Sequence, residues 1–122
     1  MSILSKILSL LSPDTTSMVP PIEAKRLLGL PAGEKPMLID VRTPGEWKLG
    51  RLTGAKHLDI SGGTFEADIA KLPKEAPYLL YCQSGGRSGM ALSRMKAKGF
   101  TDLKHVAGGI GSWKAAGYPV VK

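Results

Sequence analysis

The 122-residue sequence has one cysteine, only 6% aromatic residues and no apolar run long enough to cross a bilayer. A lone cysteine excludes an internal disulfide and metal sites built from several thiolates, so folding needs no oxidising compartment. The amino terminus lacks the basic front and the small-residue cleavage site of a signal peptide. We therefore expect a cytoplasmic, globular protein without a membrane span, and this length suits one domain.

Acidic residues are also few, since 10 Asp and Glu stand against 17 Lys and Arg, for a net charge of +7. The basic residues are spread from Lys6 to Lys122 without a dense run, and no nucleic-acid-binding motif accompanies them. We expect no nucleic-acid partner. The positive field instead favours small anions that approach a site.

Residues 1–12 form a predicted amphipathic helix whose aliphatic face consists of Ile3, Leu4, Ile7, Leu8 and Leu11. A helix this short needs a surface to fold against, which could be its own domain, a second copy of the chain or a membrane. Lys6 is its only basic residue and it has no aromatic anchor, which disfavours the membrane. We expect the segment to dock on protein, within its own domain or, as self-association, between two copies.

Pro13 ends this helix, and residues 14–21 read as a linker. We therefore divide the chain into an N-terminal segment with its linker, residues 1–18, and one domain over residues 19–122.

Strand and helix patterns alternate along this domain. Strands are predicted at residues 37–39, 55–58, 78–81 and 103–106, and helices at residues 21–28, after Thr43, and at 64–72, 87–98 and 109–116. The pattern at 78–81 is apolar throughout, as expected for a central parallel strand that is covered on both faces. This alternation predicts an α/β fold with a parallel sheet.

The segment after this central strand contains the residues suited to catalysis. It reads Cys82, Gln83, Ser84, Gly85, Gly86, Arg87 and Ser88. The strand brings the cysteine to the carboxyl edge of the sheet, where open α/β sheets bind ligands. The two glycines allow positive φ, so successive N–H groups can form an anion nest, to which the next helix adds its free N–H groups. Such surroundings lower a thiol pKa, which makes Cys82 the predicted nucleophile and residues 83–88 the predicted binding loop.

Two loop residues each have two interpretations. Arg87 can present its planar guanidinium to the anion, or it can brace the loop from behind. Ser88 can cap the helix or contact the substrate. For the whole segment the alternative is an inert buried cysteine before a glycine turn. The order of strand, cysteine, glycines, arginine and helix favours the catalytic interpretation.

Three separated segments of the chain resemble the rhodanese family. They are residues 38–60, LIDVRTPGEWKLGRLTGAKHLDI; residues 81–91, YCQSGGRSGMA; and residues 106–120, VAGGIGSWKAAGYPV. The resemblance implies a central five-stranded parallel sheet flanked by helices. It also implies that Cys82 carries a persulfide, which the backbone N–H groups of Gln83 to Arg87 hold. Gln83 departs from the family pattern, because many relatives have a basic residue directly after the cysteine.

Other residues of these segments match family positions, and we interpret them as structural. Asp40, Arg42 and Glu46 form a predicted ion-pair and capping cluster, while Gly108, Gly109 and Trp113 are predicted packing and turn residues. The histidines, His57 and His105, have no metal-ligand companion at suitable spacing, and we interpret both as surface or structural residues.

The implied activity is sulfur transfer from a small anionic donor, such as thiosulfate, to a thiophilic acceptor: cyanide in an assay or a thiol in a cell. It requires no metal and no organic cofactor. Two alternatives stay open: a non-catalytic sulfur-carrier or regulatory binding module on the same fold, and a cysteine phosphatase. Phosphatases of this fold use Cys-x5-Arg, whereas only four residues separate Cys82 from Arg87, and no acidic general acid follows the loop.

Overall fold

The computed structural model describes residues 17–122, so the predicted helix over residues 1–12 and its docking lie outside the described residues. The elements in chain order are β1 (Met18–Val19), α1 (Pro21–Leu28), β2 (Met37–Asp40), α2 (Pro44–Leu49), β3 (Lys56–His57), α3 (Phe65–Ile69), β4 (Pro77–Tyr81), α4 (Gly86–Ala97), β5 (Asp102–Val106) and α5 (Gly109–Ala115). Within residues 17–122, no helix has both the length and the apolar character needed to cross a membrane.

The five strands form one all-parallel sheet in the order β1-β5-β4-β2-β3. Strand β4 lies at its centre, and its residues Leu79 and Leu80 are completely buried. The predicted α/β fold with a five-stranded parallel sheet flanked by helices is thus confirmed. Because every strand runs in the same direction, all carboxyl ends meet at one edge, and Cys82 directly follows the central one.

Alternating side chains of the sheet form two apolar layers. One layer contains residues of α3 and α4 packed on the sheet, among them Phe65, Leu80 and Met95. The other contains residues of α1 and α5, among them Ala24, Leu79 and Trp113. Burial of a large apolar side chain contributes roughly 1.5–3 kcal/mol. The strand before the Cys82 loop and the helix after it are therefore both fixed in the core.

Two predictions about local structure are wrong. The linker interpretation missed β1, in which Met18 pairs with His105 and Val19 with Val106. Two residues followed by Pro20 are too few to show an alternating pattern. The helix predicted over residues 64–72 ends at Ile69. The chain continues in a tighter turn, in which the Leu72 N–H donates to the Ile69 carbonyl oxygen at 3.0 Å.

Candidate active site

The Cys82 side chain is enclosed by the loop that follows it. Only 1% of the residue is exposed. The Gly85 N–H donates to Sγ at 3.0 Å, and Ser88 Oγ lies 3.5 Å from Sγ. The loop therefore curls back on the sulfur, as the glycine pattern predicts.

These contacts change the ionisation of the thiol. Burial raises the pKa of Cys82, but hydrogen bonds from the Ser88 hydroxyl and from the backbone N–H groups of Ser88, Gly85 and Ser84 lower it by more, so the thiol pKa lies below its ordinary value. The site therefore favours the thiolate, the nucleophilic form of cysteine.

Only one of the two loop glycines adopts a positive φ. Gly85 has φ 111° and is the N-cap of α4, whereas Gly86 is the first residue of that helix. A Cβ added to Gly85 would lie 3.4 Å from the Gly108 nitrogen, while one added to Gly86 would have no neighbour within 4 Å. Both glycines allow a positive φ, and the structure places it at Gly85, because the helix has already begun at Gly86.

The guanidinium of Arg87 is held by a carboxylate. Its Nη1 and Nη2 donate to Oε1 and Oε2 of Glu46 at 2.6 and 2.8 Å. The hydrogen bond from Arg87 is the main reason that the pKa of Glu46 falls to about 2. Glu46 also completes a capping box with Thr43 at the start of α2. Of the two interpretations of Arg87, the structure therefore shows the brace.

A buried ion pair lies beside this brace. Arg42 Nη2 is 2.7 Å from Asp40 Oδ2, and both side chains are almost fully buried. The same nitrogen donates to the Gly50 carbonyl oxygen at 2.6 Å, and Nη1 lies 3.5 Å from Gln83 Oε1. Together with the Glu46 cap, this confirms the predicted ion-pair and capping cluster.

The backbone of the loop is tied to the start of α5. The Ile110 N–H donates to the Cys82 carbonyl oxygen at 2.8 Å, and the Gly111 N–H donates to that of Gln83 at 3.1 Å. Gly109 makes this approach possible: its φ is 61°, and an added Cβ would overlap the Cys82 carbonyl oxygen and lie 2.6 Å from the Gln83 carbonyl carbon. The predicted turn glycine is therefore also an anchor of the loop.

Ser88 lies within α4 and does not cap it, because Gly85 is the N-cap and no side chain caps the helix. The capping interpretation is wrong. Ser88 Oγ lies between Cys82 Sγ and the Nδ1 of His105, which is 3.0 Å away. The sequence analysis did not predict that His105 lies next to Ser88 at the active-site loop. The available signal was strand periodicity, since His105 shares a face of β5 with Leu103, which packs in the layer of α4.

The other histidine is structural, as predicted. The ring of His57 stacks on Trp47 with centroids 4.8 Å apart, and its Nε2 is 2.7 Å from the Arg42 carbonyl oxygen.

Comparisons with known proteins agree with this geometry. The family model of the Rhodanese-like domain matches residues 23–116. The chain is 42% identical over 84 residues to the probable adenylyltransferase/sulfurtransferase MoeZ of Mycobacterium tuberculosis, a match that covers 69% of this chain but only 21% of MoeZ. It is 34% identical over 104 residues to the thiosulfate sulfurtransferase GlpE of Pseudomonas putida, covering 83% of this chain and 86% of GlpE.

The fold also matches solved structures. A rhodanese-related protein from Thermoplasma volcanium superposes with a TM-score of 0.74 at 25% identity, over 85% of this chain and 96% of that one.

Proposed function

This chain belongs to the rhodanese-like domain family, and we propose that it is a sulfurtransferase that moves a sulfane sulfur through a persulfide on Cys82. The observation that carries the proposal is the hydrogen-bonded thiol, with the Gly85 N–H 3.0 Å from Sγ and a thiol pKa below its ordinary value. Similarity to a protein named thiosulfate sulfurtransferase supports the same chemistry.

In the first step, the Cys82 thiolate attacks the outer sulfur of an anionic donor such as thiosulfate. A bond forms between Sγ and that sulfur, while the bond to the sulfite group breaks and sulfite leaves with the electron pair. The net charge of +7 favours the approach of such a donor.

In the second step, an acceptor takes the sulfur from the persulfide. The N–H groups of residues 83–87 and the Ser88 hydroxyl hold the anionic outer sulfur of this persulfide. The turn is formed by Gln83, Ser84, Gly85 and Gly86, and Arg87 braces it. Cyanide or a thiol attacks the outer sulfur, and the S–S electron pair returns to Sγ, which restores the thiolate. This is a ping-pong reaction whose electrons balance between donor and acceptor.

The geometry disfavours phosphatase chemistry. A cysteine phosphatase presents an arginine fork to the phosphate, but the fork of Arg87 is occupied by Glu46. We propose a cytoplasmic location, because a lone cysteine needs no oxidising compartment.

The test is intact mass after incubation with thiosulfate. We expect the wild-type protein to gain one sulfur atom, and cyanide to remove it as thiocyanate, whereas Cys82→Ser should do neither. A parallel incubation with polysulfide separates the choice of donor from the class of reaction. A stable persulfide that no acceptor discharges would indicate a carrier module instead of an enzyme. Failure to form a persulfide with either donor, together with hydrolysis of an aryl phosphate, would contradict the proposal.

A further inference from the structure

Three side chains from three different elements meet behind the active-site loop. Cys82 follows β4, Ser88 lies in the first turn of α4, and His105 lies in β5, the neighbour of β4 in the sheet. Sγ is 3.5 Å from Ser88 Oγ, which is 3.0 Å from His105 Nδ1. The sulfur is thus connected to an imidazole through one hydroxyl group.

Through the Ser88 hydroxyl, His105 is connected to one ionisable group, the Cys82 thiol. Its neighbours in the sheet and on α4 do not ionise. Met18 of β1 and Leu80 of β4 pair with it in the sheet, and a Cβ added to Gly89 of α4 would lie 3.6 Å from its Cε1. None of these three residues has a group that titrates.

Four charged residues on the two elements beside Ser88 and His105 pair away from the imidazole. On α4, Arg87 and Arg94 pair with Glu46 and Glu66, and on β5 Asp102 pairs with Lys104. Burial lowers the pKa of His105, so its imidazole is neutral at neutral pH. A neutral imidazole has one N–H, and its position decides what Nδ1 does to the hydroxyl.

The Ser88 hydroxyl has one hydrogen and three acceptors within reach. These are the sulfur, Nδ1 and the Gly85 carbonyl oxygen, which is 3.2 Å from Oγ. If Nδ1 lacks a proton, it competes with the sulfur for the hydroxyl hydrogen. If Nδ1 has a proton, it donates to Oγ, and the hydroxyl hydrogen is left for a thiolate, which is a stronger acceptor than a neutral carbonyl.

We propose that His105 is a positioning residue, whose Nδ1–H acts through the Ser88 hydroxyl to direct a hydrogen bond at the Cys82 sulfur. In the thiolate state, Nδ1–H donates to Oγ and O–H donates to sulfur. In the thiol state the contact between Cys82 and Ser88 reverses, with S–H donating to Oγ. The thiolate and the Nδ1–H form of the His105 ring therefore stabilise each other. The role of this contact in turnover rests on the proposed function, but thiol ionisation is measurable without any sulfur transfer.

The first test is the pH dependence of Cys82 alkylation by iodoacetamide. His105→Phe keeps a ring but removes Nδ1, and at about pH 6 we expect alkylation roughly fivefold slower than wild type, the effect of a hydrogen bond of about 1 kcal/mol. The difference should vanish at high pH, where both thiols are ionised. His105→Asn, whose amide can place a donor near the Nδ1 position, should retain most of the wild-type rate.

The matched control is His57→Phe, the same substitution at the chain's other histidine, which should leave the alkylation profile unchanged. A His105→Phe profile that overlays wild type would overturn the proposal.

The second test keeps the native histidine, so it decides the matter even if His105→Phe fails to fold. The ¹⁵N chemical shifts of the His105 ring, measured by NMR above the pH at which Cys82 ionises, report which ring nitrogen has the proton. We expect the Nδ1–H form in the wild-type protein, because Nδ1–H donates to Oγ in the thiolate state. A ring protonated only at Nε2 would overturn the proposal. Both tests are independent of persulfide formation, so a protein that transfers no sulfur can still pass them, and an active sulfurtransferase can still fail them.

Discussion

Glu46 accepts two hydrogen bonds from Arg87, at 2.6 and 2.8 Å, and so joins the first turn of α2 to the first turn of α4. The same carboxylate accepts from the Thr43 backbone N–H at 3.2 Å in the capping box of α2. One side chain therefore caps one helix and fixes the start of another, directly after the Cys82 loop. Loss of the Glu46 charge should therefore weaken both the cap of α2 and the contact with the start of α4.

We expect Glu46→Gln to lower the free energy of unfolding at neutral pH by about 1–2 kcal/mol, less than the full pKa shift would give because solvent screens the pair. The folded-state pKa of Glu46 is depressed, so its stabilisation is present above the ordinary value of 4.5 and is lost as the pH falls towards about 2. Urea denaturation across this range should therefore show a smaller acid-induced loss in Glu46→Gln than in wild type. The control is Glu34→Gln, at an exposed turn. An equal acid-induced loss in Glu46→Gln and wild type would contradict the prediction.

Gly85→Ala should slow the alkylation of Cys82 and the transfer of sulfur. The φ of 111° at this position costs an alanine roughly 1–2 kcal/mol, and relaxation of the loop would move the Gly85 N–H away from Sγ. Gly54→Ala is the matched control, since Gly54 also has a positive φ, 83°, with no neighbour within 4 Å of an added Cβ. We expect both variants to lose stability in thermal melts, but only Gly85→Ala to lose thiol reactivity. Equal reactivity in the two would argue against the loop as the source of the lowered thiol pKa.

Gly109→Ala should be among the most destabilising single changes in the domain. Its Cβ would overlap backbone atoms of Cys82 and Gln83, which cannot rotate away as a side chain can. We expect a loss of about 3 kcal/mol or more from the overlap and the positive φ together, measured by urea denaturation. The comparison is Gly63→Ala, with a φ of 82° and open space around an added Cβ, which should lose only the conformational part. Similar losses of unfolding free energy in the two variants would show that the start of α5 does not contact the Cys82 loop as closely as the structure indicates.

Gly89→Ala should instead stabilise the protein. Gly89 lies inside α4, where alanine is favoured over glycine by up to about 1 kcal/mol. The added Cβ would lie 3.6 Å from His105 Cε1, an ordinary van der Waals contact. We expect the melting temperature to rise by a few degrees, and a fall would mean that the His105 ring has no room to accept the methyl group.

The parts of the fold that depend on neighbours in sequence could be predicted. The apolar strand before Cys82, the glycine turn and the helix beyond it are encoded within one stretch of chain, and the Thr43 cap is encoded in four residues. The contact between Ser88 and His105 could not be predicted in this way. It depends on β5 lying beside β4, and on a register that places His105 opposite Leu80.

Two further differences have equally physical origins. Strand β1 is defined by its pairing with β5. Its two residues are too few to show the alternation of apolar and polar residues from which a strand is predicted. Whether Gly85 or Gly86 takes the positive φ depends on where α4 begins, and both glycines permit it. Helical structure in proteins is stabilised mostly by tertiary packing, so local preference alone does not fix the first residue of α4.

The tie between the Cys82 loop and the start of α5 also has a consequence for the order in which the site is assembled during synthesis. The ribosome releases the cysteine and α4 well before Ile110 and Gly111, whose N–H groups hold the Cys82 and Gln83 carbonyl oxygens. A nascent chain that has emerged only as far as β5 contains Cys82 but not the anchor of its loop. The proposed persulfide chemistry should therefore begin only after α5 has emerged, although the thiol itself is made earlier.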